Sequence, residues 1–134
     1  MRVAKYNDLS ILLTLDEEGE FADGIYGSVR SGKIIAIVND TDDAAILFDS
    51  VTSGVLSAHI ISKRSFRGKK LKDFSYEAVR YMVDTGYLKN LILFVRDKDK
   101  RLKMFLALFK LKPTVTVGEY VMYNVDSQAI LNWR

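Results

Sequence analysis

With 134 residues, 49% of them hydrophobic and 28% charged, the chain is sized for one domain, 1–134, around a single core. That composition excludes a disordered or collagen-like protein, and no apolar run reaches the roughly 18 residues that a membrane span requires. Cysteine is absent, which removes disulfides, thiolate metal sites and a cysteine nucleophile. No basic, then apolar, then small-residue leader opens the sequence, so a reducing, cytoplasmic location is the expectation. The net charge of +3 is small but unevenly spread. Six of the ten residues from Lys63 to Lys72 are basic, as are five from Arg96 to Lys103, whereas Asp40, Asp42 and Asp43 cluster in the first half.

Met1 to Tyr6 reads as a short strand, after which Asn7 or Asp8 caps a helix carrying Leu9, Leu12 and Leu13 until Gly19. Glu20 to Arg30 is ambiguous. Lys33 to Val38 and Ala44 to Val51 alternate as two strands of a hairpin across Asn39 to Asp43, and Val55 to Lys63 adds a third strand after Gly54. Leu71, Phe74, Ala78 and Met82 then draw an apolar stripe at helical spacing that Gly86 ends. Leu88 to Val95 is apolar at both alternating sets of positions, the pattern of a central strand covered on two faces. Asp97 or Asp99 caps a second helix with Leu102, Phe105, Leu106 and Phe109 inward, which Pro113 is expected to end. Val115 to Val117 and Tyr120 to Val125 form a closing hairpin, and Asp126 to Arg134 a terminal helix that tucks in Trp133. The expected class is α+β, a mixed and mostly antiparallel sheet with helices on both faces.

That order, with His59-Ile60-Ile61-Ser62 on a strand and Phe66-Arg67-Gly68-Lys69-Lys70-Leu71-Lys72 opening a helix, resembles the Gcn5-related N-acetyltransferase (GNAT) superfamily across nearly the whole chain. The small acetyltransferase-like proteins of tailed bacteriophages are especially similar. The resemblance implies acetyl-coenzyme A as cofactor, its pyrophosphate on Arg67, Gly68, Lys69, Lys70, Leu71 and Lys72, its pantetheine arm along Ile60, Ile61 and Ser62, and Asp99 at the position of a common Asn. It also implies an amine acceptor, with His59 as the base where many members place an acid. An imidazole suits that task because its ordinary titration range spans neutrality. The other reading of His59 is a half-buried strand residue with a backbone partner.

The chain departs from the family pattern at four places. Lys70 and Lys72 stand at two glycine positions, Leu106 at the tyrosine that protonates the leaving thiolate, and Lys110-Leu111 at a Gly-Phe pair. These departures motivate a second reading, a non-catalytic protein of the same fold that serves a phage in assembly, injection or binding of a host protein. Nucleic acid is disfavoured as a partner, because Phe66 is the one aromatic residue within the basic run. The Asp40 to Asp43 segment lacks the glycine and terminal Glu of a calcium loop and is expected to be a solvated turn. Tyr120 and Tyr123 are expected to pack, and a homodimer through the last hairpin stays open.

Overall fold

Alternating apolar residues in the first half build a three-stranded meander, seen in a computed structural model that describes residues 1–4, 8–15, 28–29, 31–126 and 128–129. The strands are β1 (Arg2–Val3), β2 (Ile34–Val38), β3 (Ala44–Thr52), β4 (Val55–Ser62), β5 (Asn90–Arg96), β6 (Val115–Val117) and β7 (Tyr120–Asp126). The helices are α1 (Leu9–Leu15), α2 (Lys69–Asp84) and α3 (Lys100–Ala107). One sheet runs in the order β1-β2-β3-β4-β5-β7-β6. Its neighbours are antiparallel except for β4 and β5, which the α2 crossover makes parallel.

Period-two alternation sorts the side chains onto two faces. Ala36, Val38, Ala45, Leu47 and Ile61 pack under Leu12 and Leu15 of α1. Ile37, Ile46, Phe48, Leu91, Leu93 and Val95 pack under α2, together with Leu106 of α3. The expected α2 stripe of Leu71, Phe74, Ala78 and Met82 is buried throughout. Gly86 adopts a left-handed φ of 82° just after the helix, a conformation that favours glycine and ends the turn where the sequence indicated.

The loop between β2 and β3 is closed by Asn39. Its buried carbonyl oxygen accepts hydrogen bonds from the backbone N–H of Asp43 (2.7 Å) and Ala44 (3.0 Å). The three nearby carboxylates each meet a cation: Asp40 the Met1 amino group, Asp42 the Arg2 guanidinium (2.7 Å) and Asp43 the Lys63 ammonium (3.3 Å). Their arrangement is that of an ion-paired turn.

Three expectations need correction. β5 is covered on one face only among the described residues. Leu91, Leu93 and Val95 lie beneath the helices, but Phe94 is 52% exposed and Ile92 half-buried on the other face. The second helix ends at Ala107, ahead of Pro113. Lys110 takes a φ of 59°, and the N–H groups of Lys110 and Leu111 turn back to the carbonyls of Ala107 (2.9 Å) and Leu106 (3.4 Å). That reversal brings Phe109 into the core beyond the helix. Tyr123 is buried as expected, whereas Tyr120 is 40% exposed. The stop at Gly19, most of Glu20 to Arg30 and the Trp133 end of the chain lie outside the described residues. No described helix is long and apolar enough to cross a membrane.

Candidate functional site

The parallel pair at the middle of the sheet is short. β4 and β5 are in register at Val55↔Asn90, Leu56↔Leu91 and Ser57↔Ile92, and there the ladder stops although the strands continue to Ser62 and Arg96. Their outer edges stay paired with β3 and β7, so the two strands diverge as a notch whose inner edges are not laddered to each other. Extended backbone with unclaimed donors and acceptors is a surface that an elongated, amide-bearing ligand can join as a strand would.

The notch opens into a cleft of about 790 Å³. Ile60, Ile61 and Ser62 of β4 form one wall, Arg64, Arg67, Gly68 and Leu71 the turn into α2, and Lys98 to Leu102 with Met104, Phe105 and Leu108 the opposite wall. Leu15 of α1 closes one side.

At the turn, Gly68 is the residue before the first turn of α2, with φ 86° and ψ −138°, a region essentially reserved for glycine. It offers no side chain to cap the helix. The N–H of Lys72 is the first to bond within the helix, to the Gly68 carbonyl at 3.0 Å. The N–H groups of Lys69, Lys70 and Leu71 therefore have no intrahelical acceptor, and they carry the positive end of the dipole of a 16-residue helix. A Cβ built on Gly68 meets no atom within 4 Å, so this backbone is open to approach.

Charge reinforces the geometry. Arg64, Arg67, Lys98, Lys100 and Arg101 line the cleft, and none of the five is in an ion pair among the described residues. The single acid of the lining among the described residues, Asp99, is committed to its own helix: its carboxylate accepts from the N–H of Leu102 at 3.0 Å as the N-cap of α3. The result is a dipole terminus and five cations around one opening, an arrangement suited to a polyanion such as a pyrophosphate.

Of the residues expected at the site, the structure brings Ile60, Ile61, Ser62, Arg67, Gly68, Leu71 and Asp99 to the cleft. Lys69, Lys70 and Lys72 project from the first turn of α2 and are not part of its lining. Lys70 instead adds to the field on Asp43, whose carboxyl is held below its usual range first by the hydroxyl of Thr41 and then by Lys63. Side chains at Lys70 and Lys72, where the resembled family keeps glycine, are outside the lining and leave the cleft open. His59 lies in register with Leu47 on the α1 face of β4, exposed rather than half-buried, one alternation from Ile61 and outside the lining. Leu106 is buried at 4% exposure in the core, so that position offers no acid.

Sequence reading did not assign Arg64, Lys98, Lys100 or Arg101 to the site. The basic run from Arg96 to Lys103 was the available signal; what it lacked was the knowledge that the notch sets α3 opposite Arg67.

No protein-family model matches the chain, and no curated protein sequence matches it. Solved structures do. A chimera of the SpeG spermidine N-acetyltransferase from Vibrio cholerae and hSSAT superposes with a TM-score of 0.76 at 11% identity, covering 98% of each chain. The dodecameric spermidine N-acetyltransferase from Vibrio cholerae gives 0.77 at 10% identity, covering 98% of this chain and 95% of that one. The smu.2055 protein from Streptococcus mutans gives 0.75 at 11% identity over 94% and 99%. At such identities the agreement is one of backbone, and it extends over the whole sheet and its helices: the chain has the fold of the Gcn5-related N-acetyltransferases.

Proposed function

We propose that the chain is an N-acyltransferase that takes an acyl group from acetyl-coenzyme A or a related thioester and delivers it to an amine. The observation that carries this reading is the parting of β4 from β5 directly beside an uncapped helix start and five cations that form no ion pair among the described residues. Those residues fit the cofactor. The N–H groups of Lys69, Lys70 and Leu71, with Arg64 and Arg67, would hold the pyrophosphate; the unladdered edge of Ala58–Ser62 would pair with the amides of the pantetheine arm. When bound, the thioester supplies an acyl carbon activated toward amines.

The remaining work falls to the chain. His59 stands on the α1 face of the notch, where it takes the proton that the amine loses, directly or through one water. Leu106 cannot return a proton, so the protein would leave protonation of the leaving group to solvent in the open cleft. Acceptors enter from the α1 face, because the cation-lined mouth repels amines that are themselves cationic. The names of the structural neighbours make spermidine the first acceptor to assay.

The test is isothermal titration with free and acetylated coenzyme A, on the wild-type protein and on Arg67→Glu, an exposed residue with no ion pair among the described residues. Reversing one charge at about 6 Å from a phosphate in a water-like dielectric changes the interaction by about 1.4 kcal/mol, or about tenfold in affinity. Binding by the wild type, weakened about tenfold in the variant, supports the reading. No binding at millimolar ligand removes it and leaves the fold as a scaffold for a protein partner, the phage-type role.

A further inference from the structure

Where β4 and β5 part, a second and much smaller cavity of about 30 Å³ lies under the helices. Ala58 and Ile60 of β4, Leu91 and Leu93 of β5, Ser75 of α2 and Phe105 of α3 surround it. Ile60 and Phe105 also line the large cleft, so these two side chains are the partition between the spaces. The volume is room for about two water-sized groups. A buried water needs two to four polar partners, however, and the lining brings one polar side chain, Ser75. Its hydroxyl is buried and has no hydrogen-bond partner among the described residues. A serine within a helix can return its hydroxyl to a carbonyl one turn back; here the donor is left over beside the cavity, whose apolar surface suits an apolar guest.

Position connects this space to the donor. From Ser62, beside the start of α2, to Ala58, at the cavity, the strand advances four residues, about 13 Å. An arm extended that far along β4 from the anion site therefore passes the Ile60–Phe105 partition and reaches the cavity at Ala58. We infer that the cavity seats the acyl chain and admits thioesters up to two carbons longer than acetyl, making propionyl and butyryl groups the preferred cargo. This rests on the acyltransferase reading above. Each methylene taken from water into such a space tightens binding about fourfold, so butyryl-coenzyme A binds about fifteenfold more tightly than acetyl-coenzyme A. A six-carbon chain outgrows the space and gains nothing further.

The experiment is titration of the intact protein with free, acetyl-, butyryl- and hexanoyl-coenzyme A, in the wild type, in Ser75→Val, whose methyl groups fill the cavity, and in Ser75→Ala, which keeps the room. The expected result is a wild-type preference for butyryl of about fifteenfold that persists in Ser75→Ala and disappears in Ser75→Val, with affinity for free coenzyme A unchanged in all three. Equal or weaker binding of butyryl than of acetyl by a wild type that does bind coenzyme A overturns the inference and leaves the acyltransferase reading standing. Failure to bind any coenzyme A species overturns both. A butyryl preference retained in Ser75→Val places the chain elsewhere and also overturns the inference. Should Ser75→Val not fold, the wild-type and Ser75→Ala ligand series decides alone.

Discussion

Asparagine and alanine at position 99 separate two roles for that residue, a helix cap and a direct ligand contact. In the structure the Asp99 carboxylate accepts the N–H of Leu102 at 3.0 Å and heads α3, which forms the far wall of the cleft. Asparagine caps about as well as aspartate, whereas alanine forfeits the bond at a cost of about 1 kcal/mol. For a chain of this length that corresponds to a fall of about 4 °C in melting temperature for Asp99→Ala and almost none for Asp99→Asn. Binding should move the other way. Both substitutions delete the one negative charge that the described residues bring to a lining in which they place five cations. At about 8 Å through solvent that charge is worth about 0.5 kcal/mol, so coenzyme A should bind about twofold more tightly to either variant at low salt. Differential scanning calorimetry and titration on the same preparations read both effects. A tenfold loss of affinity in Asp99→Asn would refute the reasoning and make the carboxylate a ligand contact, as would an unchanged melting temperature in Asp99→Ala.

Two further outcomes follow from local geometry. Gly68→Ala places a Cβ where no atom stands within 4 Å but forces φ 86° on an L-residue, so the penalty is backbone strain alone, about 1–3 kcal/mol, seen as a melting temperature lower by roughly 4–10 °C; an unchanged value would mean that the turn relaxes freely. Because the Thr41 hydroxyl and then Lys63 depress the Asp43 carboxyl in the folded state, its ionised form stabilises the protein above the unfolded value of 3.8 and ceases to do so as pH falls through the lower folded value. Urea titrations should accordingly show Asp43→Asn less stable than wild type at pH 7 and the gap closing toward pH 2.5; a gap that widens on acidification would contradict the assigned sign.

The α2 stripe was legible in the sequence because Leu71, Phe74, Ala78 and Met82 all answer to one large apolar surface, and a period of 3.6 is unambiguous over 16 residues. The β2–β4 meander was legible for the same reason at period two. What resisted were features made by non-local juxtaposition. An apolar residue at position 94 reads as buried in any strand pattern, yet the described structure sets nothing over that half of the sheet to bury it. The end of α3 depended on Lys110 entering the left-handed region, a choice that lysine does not announce. Of the candidate site, the strand and the Arg67-Gly68 turn were visible as a motif, whereas the opposing cations on Lys98, Lys100 and Arg101 and the orphan hydroxyl of Ser75 acquire meaning only when α2 and α3 face each other across the notch.

Three registered pairs join β4 to β5 among the described residues, and the Gly54 carbonyl accepts from the N–H groups of Lys89 (2.8 Å) and Asn90 (3.0 Å) at the end of that seam between two panels of the sheet. A ligand that lies in the open part of this seam would supply rungs that the chain does not provide for itself. Donor occupancy and tertiary cohesion then become one thermodynamic variable: at a hundredfold excess over its dissociation constant, a donor adds about 2.7 kcal/mol to the stability of the folded state. On the acyltransferase reading, the supply of the donor would thereby govern how long each molecule persists.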